Sequence, residues 1–380
     1  MNTIFLDYNA TTPVRPEVLA EMLPLFREDF GNPSSVHAFG HGPARAVQLA
    51  RERLSALLGC QPDEIVFTGC GSESDNLAVK GIAEALKDKG NHIITSVIEH
   101  PAIIRSCEYL AARGYETTFL PVDGAGQVDP GEVERAITQR TILVSIMHAN
   151  NEVGTIQPIA EIARIAKERG ICFHTDAAQT VGKLPTRVDE LGVDLLTVAA
   201  NKFYASKGSG ALYIRRGTNV EPLIHGGSQE RGLRAGTENA ALIAGLGKTA
   251  ELAAAELSDN GQRWRTLRDR FFELLSEYPG RIKLNGHPTE RLPNTLNVSF
   301  EGVSNFELLA AVPEVAASTG SGCHAGRREP SAVLTAMGVP SELAMGAVRF
   351  SLGLYTTAEE IERAGTLIGE QVGRLRSQAR

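Results

Sequence analysis

Residues 64–76 read E-I-V-F-T-G-C-G-S-E-S-D-N. The first five form a short run of β-branched and aromatic residues, the pattern of a buried strand. Glycines then interrupt the chain, and polar residues follow at the head of a stretch with helical spacing. A strand that passes through a glycine turn directly into a helix is the opening of a strand–helix–strand unit, and such units build parallel sheets.

The unit recurs on both sides of this stretch. Helical signals lie over residues 42–58, 73–88, 101–114, 158–169 and 238–278. Strand signals lie over 92–96, 117–122, 141–147, 171–176, 194–199 and 211–215. This alternation predicts an α/β fold with a mostly parallel central sheet covered on both faces. After about residue 255 the rhythm changes to R-I-K-L-N (281–285), T-L-N-V-S-F (295–300) and A-V-R-F-S-L (347–352), interleaved with helices. The expected division is a large domain over 16–255 and a smaller α+β domain made of 1–15 and 256–380.

Composition excludes several classes. The 380 residues are 42% hydrophobic and 22% charged, with a net charge of −7, which is the balance of a globular chain rather than a disordered one. No block of like charge suggests a nucleic-acid groove or a membrane-surface helix. The longest apolar stretches, 142–147 and 240–246, are too short to span a bilayer. The first residues, M-N-T-I-F-L-D-Y-N, lack the sections of a signal peptide, so the expected location is cytoplasmic. Five scattered cysteines without a C-x-x-C pair give neither a disulfide framework nor a metal site, and no metal is expected. Cys60, Cys70, Cys107 and Cys172 read as small buried residues. Two apparent nucleotide motifs fail. G-K-T at 247–249 lacks its earlier glycine, which is Leu242, and G-S-G-C-H-A at 320–325 is not followed by an apolar helix.

Five constellations can carry chemistry. T-G-C-G-S-E-S-D-N (68–76) places Gly71 and Ser72 at a helix start, where free N–H groups bind phosphate; a plain turn capped by Ser72 fits the same residues. H-T-D-A-A-Q (174–179) ends an apolar strand in Asp176, and a carboxylate there is costly to bury without a cation. A-A-N-K (199–202) puts Lys202 where a strand meets a loop; a desolvated lysine can form a Schiff base with an aldehyde, although a snorkelling surface lysine reads the same way. S-T-G-S-G-C-H-A-G-R-R-E-P-S (318–331) sets Cys323 in a glycine-rich loop with His324, Arg327 and Arg328 close by, and cations favour thiolate. Arg349 interrupts an apolar strand and needs a carboxylate, from the protein or from a ligand.

These residues fall in a longer series that resembles the cysteine desulfurases, pyridoxal-phosphate enzymes of fold type I in the class-V aminotransferase group, a branch that includes the selenocysteine lyases. The series runs L-D-Y-N-A-T-T-P (6–13), F-G-N-P-S-S (30–35), S-E-S-D-N-L-A (72–78), I-E-H (98–100), M-H-A-N-N-E-V-G (147–154), D-A-A-Q (176–179), K-F-Y-A-S-K-G-S-G-A-L-Y (202–213), R-A-G-T-E-N (234–239), G-S-G-C (320–323) and R-F-S-L-G (349–353). The resemblance implies pyridoxal 5'-phosphate as cofactor, held by Lys202, with Asp176 on the pyridine nitrogen and His100 stacked on the ring. It implies Gln179 and Asn151 near the ring hydroxyl and substrate, and Gly71 and Ser72 on the phosphate. It implies Thr237 reaching the phosphate of a partner subunit, hence a homodimer. Asn32 and Arg349 would bind the substrate carboxylate, and Cys323 would be the nucleophile. The implied reaction takes sulfur from L-cysteine, leaving L-alanine and a persulfide on Cys323 for an acceptor protein, as in iron–sulfur cluster assembly. Selenocysteine lyase, a C–S lyase that does not need Cys323, and a non-enzymatic scaffold are the alternatives.

The chain departs from the family at the lysine. The usual S-x-H-K is Ala199, Ala200, Asn201, Lys202, which removes two donors to the cofactor phosphate and leaves Asn201 to supply one. The usual G-P-K is A-S-K at 205–207. The expectation is weaker cofactor retention or compensation elsewhere.

Overall fold

The computed structural model describes residues 3–278, 281–320 and 329–378. Twelve strands are found in the described residues: β1 Ile4–Phe5, β2 Ile65–Thr68, β3 His92–Ser96, β4 Glu116–Leu120, β5 Thr141–Ser145, β6 Cys172–Asp176, β7 Leu195–Ala199, β8 Gly210–Ile214, β9 Ile282–Asn285, β10 Thr295–Phe300, β11 Val315–Ala316 and β12 Ala347–Ser351. Seven of them form one sheet in the order β2-β8-β7-β6-β5-β3-β4. The pairs from β7 through β6, β5 and β3 to β4 are parallel, while β8 runs antiparallel to both β2 and β7. The sheet is therefore mostly parallel, as the alternation predicted.

Both faces are covered because both faces are apolar. On one side Val47, Leu54 and Leu58 of helix Ala38–Leu58 join Phe67, Val144 and Phe173 in a single core. On the other side Leu77 and Ile82 of helix Gly71–Ala85, with Ile103 and Leu110 of helix Pro101–Ala111, pack on Ile93, Leu143 and Leu195. The edge strand β4 is the exception, with Glu116 and Phe119 exposed, as an edge requires.

A second sheet, β12-β10-β9, is antiparallel and has its own core of Phe271, Val298, Val348, Phe350 and Ile368. The helix Ala240–Ser276, of 37 residues, joins the two: Ile243 and Leu246 belong to the first core, Trp264 and Phe271 to the second. The N-terminal strand β1 pairs in parallel with β11, a long-range contact that no local pattern announced. It carries residues 7–10 over the ends of the central strands, and Asp7 bridges Ser351.

Two local expectations are corrected. The helix after β2 starts at Gly71, with Cys70 rather than Ser72 as its N-cap and no side-chain cap bond. The helix is capped two residues earlier than capping propensity suggested. Cys70 is also exposed rather than buried, because it sits at that turn; Cys107 is buried, and Cys60 and Cys172 are partly so.

Candidate active site

In an open α/β sheet the crevice lies beyond the carboxyl ends of the parallel strands. Asp176 is the last residue of β6, paired in register with Thr197 of β7. One 3-10 turn, Ala200–Lys202, follows β7 and brings Lys202 to the same end of the sheet. The Lys202 Nζ donates to the carbonyl of Asn9 at 3.0 Å and of Ala10 at 2.6 Å. Burial lowers its pKa, and the Arg349 cation lowers it further, against the pull of Asp176 and Asp7. An amine so placed is closer to its nucleophilic form than a surface lysine.

Asp176 is buried, and its Oδ1 accepts from Ala178 N–H at 2.8 Å. Among the described residues it makes no direct ion pair. Desolvation pushes its pKa up, opposed by His100 and Lys202. His100 caps helix Pro101–Ala111 by accepting Ala102 N–H on Nδ1 at 3.2 Å, so the neutral ring carries its proton on Nε2. Burial lowers its pKa, with Asp176 opposing. One ligand atom each from His100, Asp176 and Asp75 lie within 4.8 Å of one another.

Asp75 had no signal in the sequence beyond its place in S-E-S-D-N. It is buried on the helix after the glycine turn, and its Oδ1 has no hydrogen-bond partner among the described residues. Desolvation, then the nearby Asp176, raises its pKa well above its ordinary value. Beneath it lies the buried imidazole of His174, bonded to Ser145 Oγ at 2.8 Å and Thr197 Oγ1 at 3.1 Å. Burial pushes that ring down to about 3, so it is neutral.

Two carboxyls and an imidazole can face a cation, and the Lys202 amine nearby adds a nucleophile that an aldehyde would engage. An organic cation bearing an aldehyde fits this set: Asp176 would hold a ring nitrogen, His100 would adjoin the ring, and the Lys202 amine would take the aldehyde. A phosphate end also has a place. The N–H groups at Gly71 and Ser72 open a 15-residue helix with no side-chain cap, which leaves donors for an anion. A Cβ on Gly71 would fall 2.9 Å from the Ala199 Cβ, so glycine is what lets this helix start approach the end of β7. The residues present fit pyridoxal 5'-phosphate.

Arg349, on β12, is buried. Its Nη2 pairs with Asp7 at 2.6 Å, its Nη1 donates to the carbonyl of Asn151 at 3.1 Å, and its Nε has no partner among the described residues. Gln179 is buried, with its Nε2 on the Asn9 carbonyl at 3.0 Å. Asn201 gives its carbonyl to the N–H and hydroxyl of Thr12. Asn32 and Thr237 are exposed and share a separate open cavity of about 240 Å³ with Phe26, Phe30 and Glu238. The structure thus gathers Lys202, Asp176, His100, Gln179, Asn151 and Arg349 around the strand ends, and leaves Asn32 and Thr237 on the surface of this one chain. Cys323 lies outside the described residues.

Two participants were missed. Asn9 appears in the L-D-Y-N run without a role, yet it is 1% exposed and bonds to Lys202, Gln179, Lys183, Asn151, Asn294, Thr295 and Ser351. Lys183 is fully interior; a lysine following a glycine would ordinarily be assigned to the surface.

The profile of the family described as Aminotransferase class-V matches residues 4–364. A cysteine desulfurase IscS of Dictyoglomus turgidum is 51% identical over 98% of this chain and 95% of its own length. One from Methanosarcina thermophila is 50% identical over 98% of this chain and 93% of its own. Among solved structures, a NifS-like protein superposes with a TM-score of 0.92 at 38% identity, covering 98% of this chain and all (100%) of that one. A structure described as SspA in complex with cysteine has a TM-score of 0.84 at 39% identity, covering 93% of this chain and 100% of that one.

Proposed function

The chain belongs to the class-V aminotransferases and, within them, to the cysteine desulfurases; from that premise we propose how its residues divide the work. It is a pyridoxal-phosphate enzyme that takes sulfur from L-cysteine. The observation that carries the assignment is the convergence of the Lys202 amine, the unpaired buried carboxylate of Asp176 and the His100 ring at the strand ends. When bound, pyridoxal 5'-phosphate supplies an electron sink for the carbanion formed at the substrate Cα.

The protein residues do the rest. Asp176 would pair with the cofactor ring nitrogen and keep it protonated, and desolvation beside Asp176 disfavours a second negative charge on Asp75. Gly71, Ser72 and Asn201 hold the phosphate. Arg349, whose Nε has no partner among the described residues, orients the substrate carboxylate; Asp7 shares the guanidinium and keeps it aimed. Lys202, or the Nε2 of His100, carries the Cα proton, work worth about 10²–10⁴-fold. The Cys323 thiolate attacks the substrate sulfur: the substrate C–S bond breaks, an S–S bond forms on Cys323, and protonation at carbon gives L-alanine. The persulfide then passes to an acceptor protein.

Residues 16–255 form the cofactor-binding part, and 1–15 with 256–380 the smaller part. The exposure of Thr237 and Asn32 beside exposed Phe26, Phe30 and Phe39 supports a homodimer in which Thr237 serves the partner's phosphate. No described helix is long and apolar enough to cross a membrane, and we place the enzyme in the cytoplasm.

The test is C323A. It should load cofactor and show the same visible absorbance as the parent, yet form no protein persulfide and no alanine from cysteine. Undiminished alanine formation would exclude a persulfide mechanism. Selenide release with negligible cysteine turnover by the parent would move the substrate to selenocysteine.

A further inference from the structure

Lys183 is 4% exposed, deep under the active site, and has no carboxylate partner among the described residues. Burying an ammonium is costly unless its protons are used. Here they are used on two amide oxygens: Nζ donates to Gln179 Oε1 at 2.9 Å and to Asn9 Oδ1 at 3.4 Å. Gln179 closes the ring by donating its Nε2 to the Asn9 carbonyl at 3.0 Å. That same carbonyl accepts from Lys202 Nζ at 3.0 Å. A three-membered clamp of Lys183, Gln179 and Asn9 therefore ends on the amine that captures the cofactor.

The polarity of the clamp is fixed by Lys183. An amide side chain can flip, since its oxygen and nitrogen occupy similar space. An ammonium can only donate, so it forces Gln179 to present its oxygen inward and its NH₂ toward the Asn9 carbonyl. With the opposite orientation, Gln179 would set an oxygen against that carbonyl and an NH₂ against the lysine. The Asn9 side chain is polarised from both sides: Oδ1 also accepts from Asn294, and Nδ2 donates to the Asn151 carbonyl and Thr295 Oγ1. A buried cation thus specifies one arrangement of amides, and through it the direction of the Lys202 amine.

We propose that Lys183 is a positioning residue for the cofactor-capturing amine, acting through Gln179 and Asn9 rather than by touching substrate or cofactor. The proposal rests on the assignment of Lys202 above. Burial, with the neighbouring Lys202 and Arg349 cations, brings the pKa of Lys183 down to about 7, so the amide orientation is enforced by the ammonium form, which prevails below that pH.

The experiment uses full-length K183M, which fills the volume and removes the donors. In the cofactor-free protein, amide hydrogen exchange at residues 9–12 is expected to accelerate about tenfold or more, as loss of bonds from a charged donor allows, with the central strand 195–199 unchanged. Pyridoxal phosphate is then added, and its attachment to Lys202 is followed by the visible band and, after borohydride reduction, by peptide mass. Capture should slow by about tenfold or more in K183M. Unchanged exchange at 9–12 and unchanged capture would overturn the proposal. Equal acceleration in the central strand would also overturn it, by making Lys183 merely structural. If K183M does not fold, K183Q carries the same test: its amide reaches one acceptor rather than two, and equality with the parent in both readouts would refute the role. Failure of the parent itself to attach pyridoxal phosphate at Lys202 would instead refute the assignment of Lys202, while the exchange comparison would still decide whether the clamp exists.

Discussion

Asp176→Asn separates what the fold wants from what the reaction wants. Asparagine keeps the size of the side chain and the oxygen that accepts Ala178 N–H, and removes the charge. In the cofactor-free protein that charge is a liability: Asp176 is buried, its one hydrogen bond among the described residues comes from a backbone amide, and burial raises its pKa above the ordinary carboxylate value. A folded-state pKa above the unfolded one means the folded state holds more protons, so stability falls as pH rises through that range. The amide has no such dependence. Replacing an uncompensated buried charge by a neutral group should stabilise the cofactor-free protein by about 1–3 kcal/mol near neutral pH, a rise in Tm of about 2–4 °C. The loaded protein should move the other way. Loss of a hydrogen bond between charged groups is worth about 1.5–3 kcal/mol, or roughly 10- to 150-fold in pyridoxal-phosphate affinity. Alanine formation should fall by about 100-fold or more, because the ring no longer stays protonated. Thermal melts of loaded and unloaded protein between about pH 5 and 8, with cofactor titration by fluorescence, read all of this. A cofactor-free variant melting below the parent near pH 8, or one binding the cofactor as tightly, would refute the reasoning.

Other consequences are as direct. His148 and His174 are buried and neutral, with pKa values pushed down to about 4 and about 3. The unfolded chain takes up protons on both below about pH 6.5, so the histidine contribution is lost as pH falls, by roughly 5 kcal/mol near pH 4, while the buried Glu99, pushed up to about 8, contributes the opposite way; acid unfolding of the parent against a His148→Asn, His174→Asn variant, followed by circular dichroism, isolates the histidine part, and parallel profiles from pH 7 to about 4.5 would contradict it. Glu230 sits at φ 47, inside an ion pair with Arg51 at 2.7 Å and a bond to Phe67 N–H at 3.0 Å. Glu230→Ala leaves Arg51 partly buried and unpaired, and should cost about 3–5 kcal/mol in urea unfolding; a loss below about 1 kcal/mol would show the pair is dispensable. Ala199→Ser restores a hydroxyl beside the helix start at Gly71, and should slow cofactor loss on dialysis by about tenfold; no change would mean that other donors already satisfy the phosphate.

The fold was legible where sequence distance is short. Strands and helices up to residue 300 declare themselves by periodicity and glycine turns, and the reactive ends Asp176 and Lys202 follow from where those strands stop. What stayed hidden depends on contacts that local pattern cannot encode. The pairing of β1 with β11 spans most of the chain and rests on two residues a side. Asn9 becomes a hub only because that pairing lays it over the strand ends. Asp75 and Lys183 are polar residues in stretches that read as a helix start and a turn. Their burial follows from helix and loop packing, and single-sequence reading assigns such residues to the surface. The Arg349–Asp7 pair was foreseeable in kind but not in partner, since it joins opposite ends of the chain.

The hidden residues and the legible ones share a feature that explains the site as a whole. Asp75, Glu99, Asp176, His100, His148, His174, Lys183 and Lys202 all have pKa values displaced toward neutrality, and desolvation is the leading cause for each. The strand ends therefore hold a store of unfavourable burial in the cofactor-free chain. A bound ligand with a cationic ring and an anionic tail relieves part of that store by pairing Asp176 and by meeting the free N–H groups at Gly71 and Ser72. Because such a ligand binds the folded chain alone, it stabilises the fold by mass action. Cofactor loading and folding are thus one equilibrium: any substitution that eases burial at these positions should raise the stability of the empty protein and lower its affinity for the cofactor. The Asp176→Asn variant tests that opposition directly, since it removes a buried charge while keeping the hydrogen bond from Ala178 N–H.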